Sequence, residues 1–226
     1  VRWAAGDRFM RPRPAEPVIE RVAARVPLYK PTGGKEVQGT MPKPLSPEES
    51  RALMHVASGM EVDLVASEPR IGKPLSMRFD GDGRLWLCET LDYPNELQPA
   101  GQGRDRLRVL IDEDGDGAYE KDVVYADKLS IPTSVCFVPE GVIVQQAPHT
   151  LLLVDRDGDL VCDERRVLFS GWGTGDTHAG PSNLQLGFDG WVWGCVGYSG
   201  FAGEVGGKPM SFGQGVYRFR RGGSEL

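Results

Sequence analysis

Apolar and polar residues alternate with a period of two from Met60 onward, which is the pattern of β-strands that present two different faces. Three segments each contain a strand, a tight turn and a second, apolar strand: residues 74–89, 131–145 and 182–196. Phenylalanines in equivalent places fall 58 and then 51 residues apart, at Phe79, Phe137 and Phe188. This spacing predicts a structural unit that repeats along the chain.

A second kind of hairpin follows the first two segments, at residues 106–129 and 150–172, and its turn is rich in aspartate and glycine. Four strands in every ~50 residues are typical of a β-propeller blade. The sequence therefore predicts an all-β fold, a partial β-propeller of about two and a half four-stranded blades. An all-β sandwich of similar strand count is the alternative. Because propellers close with typically ~4–8 blades, we expect this chain to be a fragment of a larger multidomain protein.

The first 58 residues have a different character, since eight of the 17 prolines precede Glu48. We predict that residues 10–58 form a proline-rich linker with short helices and that residues 59–226 form the propeller. One helix is predicted over Pro17–Arg25. A second is predicted to begin with Ser46 as its N-cap, with Glu49 closing a capping box, and to end near Ser58–Gly59.

Composition narrows the range of partners. The net charge of −6 comes without a basic patch, which argues against nucleic acid as a main partner. No apolar run approaches the length of a membrane span, so no transmembrane segment is expected. The four cysteines form neither a CxxC nor a CxxCH motif, which excludes a local zinc knuckle and a covalently attached c-type haem within this chain.

The candidate for acid–base chemistry is His178, which lies in a polar loop broken by glycines 173, 175 and 180. An imidazole titrates near neutral pH and can take a proton from an alcohol. Asp176 precedes it by two residues, and the glycines would let the backbone approach a ligand closely. The alternative is a structural or merely solvated loop histidine.

Polar and aromatic residues follow the apolar strands at the same place in each repeat, where a propeller would bring them to one mouth of its central channel. These residues are predicted to line a substrate pocket: Glu89, Tyr93, Gln145, His149, Asn183 and Tyr198. Ordinary polar loops are the alternative for each of them.

Two aspartate-rich turns have the 1, 3, 5 spacing of carboxylates in calcium loops, with a further acid at position 9. The first acidic turn carries Asp112, Asp114, Asp116 and Glu120, and the second acidic turn carries Asp155, Asp157, Asp159 and Asp163. Position 12, where an EF-hand has a glutamate, holds Val123 and Arg166, so neither turn is an EF-hand. Calcium in another geometry and a plain Asp-Gly hairpin turn both remain open.

A family resemblance covers residues 40–226. It rests on EVDLVASEPRIGKPLSMRFDGDGRLWLCETLDYPNELQP, on the two acidic turns and on SGWGTGDTHAGPSNLQLGFDGWVWG. These segments resemble a bacterial family of membrane-bound dehydrogenases, the haem-binding CxxCH propeller proteins, whose propeller is similar to that of soluble quinoprotein glucose dehydrogenases. The opening VRWAAGD resembles the last helix of a ThuA-like domain, which assigns residues 1–9 to the tail of such a domain.

The resemblance implies a role for His178, which would take the hydroxyl proton of a sugar or polyol while hydride passes to pyrroloquinoline quinone (PQQ). It also implies an electron-accepting cytochrome c domain whose haem c lies outside this chain, and export to the periplasm or cell envelope. The sequence departs from the family pattern in two ways. The loop after His178 is one residue longer, and Tyr198 stands where those enzymes have an orienting acid, a role that Asp176 could take over.

Two functions follow from these observations. The first is an oxidoreductase propeller that acts on sugars or polyols and passes electrons to a c-type cytochrome domain. The second is a non-catalytic propeller that binds carbohydrate or a protein partner and scaffolds neighbouring domains. The fold itself does not separate them, because propellers host both.

Overall fold

The computed structural model describes residues 2–3, 44–94 and 97–226, and the chain divides into two compact units, Val1–Ser67 and Glu68–Leu226. In the first unit, β1 (Arg2–Trp3) pairs antiparallel with β2 (Met60–Glu61). Val1 and residues 4–9, the rest of the segment that resembles the tail of a ThuA-like domain, lie outside the described residues. The helix predicted over Pro17–Arg25 and most of the predicted linker lie outside the described residues.

The helix α1 (Pro47–Ala52) begins as the sequence predicts. Ser46 Oγ accepts a hydrogen bond from the Glu49 backbone N–H at 3.1 Å, and Glu49 Oε2 accepts one from the Ser46 N–H at 3.1 Å, so the capping box is confirmed. The predicted end near Ser58–Gly59 is wrong, because the helix stops at Ala52. None of its residues is buried, and a short helix without a packed face gains too little to add further turns.

The second unit contains three successive antiparallel sheets, as the repeat predicts. The first sheet consists of β3 (Lys73–Phe79), β4 (Leu85–Thr90), β5 (Asp105–Ile111) and β6 (Lys121–Leu129). The second contains β7 (Ser134–Val138), β8 (Gly141–Gln146), β9 (His149–Val154) and β10 (Glu164–Trp172). Because each sheet packs on the next as a blade does, the chain is an all-β partial propeller and not a sandwich.

The third sheet contains β11 (Pro181–Leu186), β12 (Val192–Val196) and β15 (Gly215–Phe219). Between β12 and β15 the chain makes a hairpin that the repeat does not predict, β13 (Phe201–Val205) and β14 (Lys208–Phe212). This inserted hairpin pairs with β10 through β13, so the second sheet has six strands in the order β14-β13-β10-β9-β8-β7.

The core lies between the sheets, and the middle strands of the second sheet contribute to both sides of it. Val142 and Val144 of β8 join the cluster around Trp86 of the first sheet, whereas the intervening Ile143 joins the cluster around Leu184 and Phe219 of the third. Strands covered on both faces lose the polar half of the alternation. This is why β8 and β9 appear in the sequence as nearly continuous apolar runs.

The register corrects one sequence equivalence. In the first sheet Phe79 pairs with Leu85, and in the second Phe137 pairs with Val142, so these two phenylalanines match as predicted. In the third sheet Leu186 pairs with Val192 and takes that place. Phe188 lies two residues further on, in the turn, with its side chain fully exposed. The shared turn motif FDG therefore predicts the wrong equivalence for Phe188, because β11 ends two residues before the phenylalanine of this motif and β3 ends on it.

Antiparallel pairing gives the second unit two distinct ends. The turns between paired strands (residues 80–84, 112–120, 155–163 and 187–191) lie at one end, which we call the turn end. There the Tyr119 hydroxyl donates to the Gly83 carbonyl at 3.4 Å, linking two of these turns. The loops that follow β4, β8 and β12 and the loop that precedes β11 lie at the opposite end, which we call the loop end.

Candidate functional site

An open pocket of about 550 Å³ lies at the loop end. The loop after β4 in the first sheet, the loop after β8 in the second and the loop between β10 and β11 all contribute to it. Its lining residues are Pro94, Leu97, Pro148, Thr174, Gly175, Asp176, Thr177 and His178. The loops of three successive sheets therefore meet at one place, as a propeller requires.

His178 and Asp176, the predicted acid–base pair, are in direct contact. Asp176 Oδ1 lies 3.0 Å from His178 Nδ1 and also accepts the His178 backbone N–H at 2.7 Å. The imidazole remains 62% exposed. An ionised carboxylate only accepts hydrogen bonds, so this contact favours the tautomer with the proton on Nδ1 and leaves Nε2 able to take a proton.

Tyr198 completes this cluster from the loop after β12. Its hydroxyl donates a hydrogen bond to Asp176 Oδ2. That bond, followed by the backbone and side-chain donors of His178, lowers the pKa of Asp176, and the same bond raises the pKa of Tyr198. The carboxylate is therefore held in its ionised form beside the imidazole. The neighbouring Ser199 hydroxyl donates to the Asp176 carbonyl at 3.1 Å.

A buried carboxylate in the first sheet holds the corner that carries Tyr93. Asp105 is 1% exposed and accepts the Leu91 N–H at 2.6 Å and the Asp92 N–H at 3.0 Å. The corner places the Tyr93 ring edge-on to His178, with ring centroids 5.2 Å apart. From the other side, the Thr177 hydroxyl donates to the Pro94 carbonyl at 2.8 Å. Loops of the first and third sheets thus contact each other across the pocket.

The glycines of the His178 loop differ in their surroundings, since Gly173 is tightly packed and Gly175 and Gly180 are not. A Cβ on Gly173 would lie 2.0 Å from the Ser199 carbonyl oxygen, and one on Gly197 would lie 2.8 Å from the Ala179 oxygen. The loops before β11 and after β12 therefore pack backbone against backbone. A Cβ on Gly175 or Gly180 would meet open space, and Gly175 lines the pocket, so close approach of a ligand stays a prediction at these two glycines, whereas Gly173 serves packing.

Two predicted pocket residues lie inside the protein instead. Glu89 is 2% exposed, and its carboxylate accepts hydrogen bonds from Arg106 Nε and, at 2.8 Å, from Arg108 Nε. Gln145 is fully buried, and its Oε1 accepts the hydroxyl of Tyr217 at 3.2 Å. Both side chains cross-link strands and are absent from the pocket lining.

The remaining predicted residues also lie outside the lining. His149 is half-buried, with Nδ1 2.6 Å from the Ser170 hydroxyl. Asn183 is exposed at a bulge in β11, where its φ of +56° is one that asparagine tolerates better than most residues. The sequence missed the walls of the pocket, formed by Pro94, Leu97 and Pro148. Because the two prolines directly follow Tyr93 and precede His149, the positions after the strand ends predicted the right loops.

The two acidic turns are built alike at the turn end. In each, the first aspartate accepts two backbone N–H groups of the turn, Gly115 and Gly117 for Asp112 and the equivalent Gly158 and Leu160 for Asp155. The carboxylates of the first turn lie within 4.8 Å of one another, as do those of the second without Asp163. Carboxylate oxygens so arranged suit a hard cation such as Ca²⁺. The same hydrogen bonds would stabilise a plain turn, so calcium binding stays a prediction.

Comparison with known proteins adds a family. A family model described as "Domain of unknown function (DUF7133)" matches residues 46–226. None of the curated proteins matches the sequence. Among solved structures, a gluconolactonase from Xanthomonas campestris is 21% identical with a TM-score of 0.46, covering 70% of this chain and 53% of that one. A luciferin-regenerating enzyme is 14% identical with a TM-score of 0.42, covering 62% and 45%.

The chain spans about half the length of these solved structures. At such scores the likeness shows nothing about activity. Within the described residues, no helix is both long and apolar enough to cross a membrane.

Proposed function

The chain belongs to the DUF7133 family, and we propose that in this member His178 is the general base of a site that oxidises a hydroxyl group of a small sugar or polyol. The observation that carries the proposal is the contact of His178 Nδ1 with Asp176 on the wall of an open pocket. A histidine oriented by a carboxylate and open to a pocket is the arrangement that general-base catalysis needs.

The residues of the pocket account for a proton transfer from the substrate to His178. A substrate hydroxyl that lies against Nε2 gives its proton to the imidazole, and Asp176 stabilises the imidazolium that forms. The apolar wall of Pro94, Leu97 and Pro148 suits the C–H face of a sugar ring. Oxidation to the carbonyl also requires that hydride leaves for a two-electron acceptor.

PQQ, which the family resemblance implies as that acceptor, does not fit the residues that line the pocket. The quinone carries carboxylates, which proteins bind with lysine and arginine. The described lining contains neither residue, and Asp176 adds a negative charge of its own. We therefore derive no step through PQQ.

For the whole protein, the resemblance supports further proposals. Electrons would pass to a c-type cytochrome domain that carries the haem, the protein would be exported to the periplasm or cell envelope, and a ThuA-like domain would precede residues 10–58. The contacts described above bear on none of these proposals.

Dye reduction by the full-length protein tests the proposed function, with a panel of two-electron acceptors that includes PQQ with calcium, and with a panel of aldoses and polyols as substrates. Loss of the general base in a His178→Ala variant should lower turnover by roughly 10²–10⁴-fold. His55→Ala is the matched control, because His55 belongs to the first unit. If wild type and His178→Ala were equally active, the acid–base role would be wrong.

The apolar wall of the pocket would equally suit one alternative, a non-catalytic propeller that binds carbohydrate or a protein partner. Calorimetric titration with the same sugars separates the two functions. Binding by wild type without turnover under any acceptor supports the binding module. Binding kept by His178→Ala with turnover lost supports the enzyme.

A further inference from the structure

We propose that Tyr198 is a positioning residue for His178, acting through Asp176, and that the inserted hairpin β13–β14 places it there. The inference rests on the proposed acid–base role of His178 for its purpose. Its structural content is that Tyr198 and the hairpin determine the orientation and tautomer of the imidazole.

The Asp176 carboxylate links the side chains of His178 and Tyr198 through hydrogen bonds. Oδ1 is occupied by two donors from His178, the backbone N–H and Nδ1, and Oδ2 is occupied by the Tyr198 hydroxyl. The last torsion of an aspartate is broad and only roughly two-fold. With both oxygens engaged, the carboxylate cannot turn without breaking a bond, so Oδ1 stays directed at Nδ1.

The contacts of Tyr198 indicate that its hydroxyl, and not its ring, holds the structure. The residue is 69% exposed, so its ring contributes little to the core. Its hydroxyl nevertheless donates to a carboxylate on a different loop, 22 positions earlier in the chain. Among the described residues, the structure shows no other hydrogen bond or ring contact for this side chain.

The inserted hairpin brings the two loops together. Trp172, the last residue of β10, pairs with Phe201, the first residue of β13, and their rings lie 4.8 Å apart in the core. The loop that carries Asp176 leaves from the first of these residues, and the loop that carries Tyr198 arrives at the second. The Gly173 N–H then donates to the Gly200 carbonyl at 3.0 Å and extends the pairing into the loops.

Histidine ¹⁵N NMR tests the proposal directly, because the two ring nitrogens report the tautomer whether or not the protein turns over any substrate. Under conditions where the imidazole is neutral, wild type should show His178 mainly protonated on Nδ1. Tyr198→Phe should shift the ratio of the two tautomers towards Nε2–H by roughly fivefold, the order expected for one lost hydrogen bond. Tyr119→Phe is the control, since its hydroxyl contacts Gly83 at the turn end.

A second pair of variants tests the hairpin. Gly203→Ala would place a Cβ 2.1 Å from the Ser170 carbonyl and disturb the pairing of β13 with β10, whereas Gly213→Ala meets open space. We expect the tautomer shift in the first variant and not in the second. If Gly203→Ala does not fold, Tyr198→Phe decides alone.

An unchanged tautomer ratio in Tyr198→Phe overturns the proposal, even if turnover falls, because Tyr198 would then act by touching the substrate. A shifted ratio supports it even if no substrate is ever found. Failure of the positioning role is thus distinct from failure of the proposed enzyme activity, which the dye assay reports.

Discussion

Replacing two phenylalanines that the sequence makes equivalent tests how the sheets pack. Phe137 is half-buried against the first interface, with its ring 5.2 Å from that of Trp86 in an edge-on arrangement. Phe188 lies in a turn with its side chain fully exposed. A fully buried Phe→Ala change costs about 3–5 kcal/mol. For the half-buried Phe137 we expect about 2–3 kcal/mol, of which the aromatic pair accounts for about 0.5–1.5 kcal/mol.

Phe188→Ala should change the free energy of unfolding by less than about 0.5 kcal/mol, because the side chain has no contacts to lose. Urea denaturation of the intact protein, followed by tryptophan fluorescence and circular dichroism, measures both variants under the same conditions. A double-mutant cycle between Phe137→Ala and Trp86→Leu should show the aromatic coupling. Equal losses in Phe137→Ala and Phe188→Ala would refute the register and restore the equivalence suggested by the sequence.

Four further outcomes are expected. Chelation should lower the melting temperature if the acidic turns hold calcium, and an unchanged temperature leaves them as plain turns. Glu89→Gln should cost about 1.5–3 kcal/mol in urea denaturation, since the buried Arg108 loses one of its two carboxylate partners and keeps the other, Asp122. Burial raises the pKa of Cys88 to about 12, so a thiol reagent at pH 8 should label the exposed Cys195 in the native protein and Cys88 only after unfolding. The Tyr198 hydrogen bond lowers the pKa of Asp176. Any stability that this bond contributes is therefore present above the usual aspartate pKa and is lost as the pH falls through the lowered value. In Tyr198→Phe, a ¹³C titration should show a higher pKa for the Asp176 carboxyl.

The sheets were predictable because their physical cause is local. Strand pairs that are joined by Asp-Gly turns and repeat at a regular spacing alternate apolar and polar residues with a period of two, whichever sheets they pack against. The capping box of α1 was equally local, since it depends only on Ser46 and Glu49. The end of that helix was not, because extension depends on a buried face, and the sequence alone does not show what would cover it.

The site was predictable only in part. The ends of the apolar strands predicted which loops would form the pocket, and the spacing of two residues placed Asp176 beside His178. The hydrogen bond of Tyr198 to Asp176 depends on the pairing of Trp172 with Phe201. These two residues are far apart in the sequence, and no local pattern predicts that their strands pair. Glu89 and Gln145 follow the same strand-end rule as Tyr93, yet their side chains point between sheets, where a single residue of register decides the face.

The inserted hairpin also changes the exposed edge of the second sheet. In a four-stranded blade β10 would present its unpaired backbone groups along its whole length, a template on which other chains can add strands. Here β13 covers the half that contains Ser170 and Trp172. The other half carries Glu164, Arg165 and Arg166, charged residues that discourage such pairing. The same strand thus has a covered half and a charged half, and beyond the covered half the exposed edge passes to β14, whose Lys208 and Pro209 also discourage strand addition.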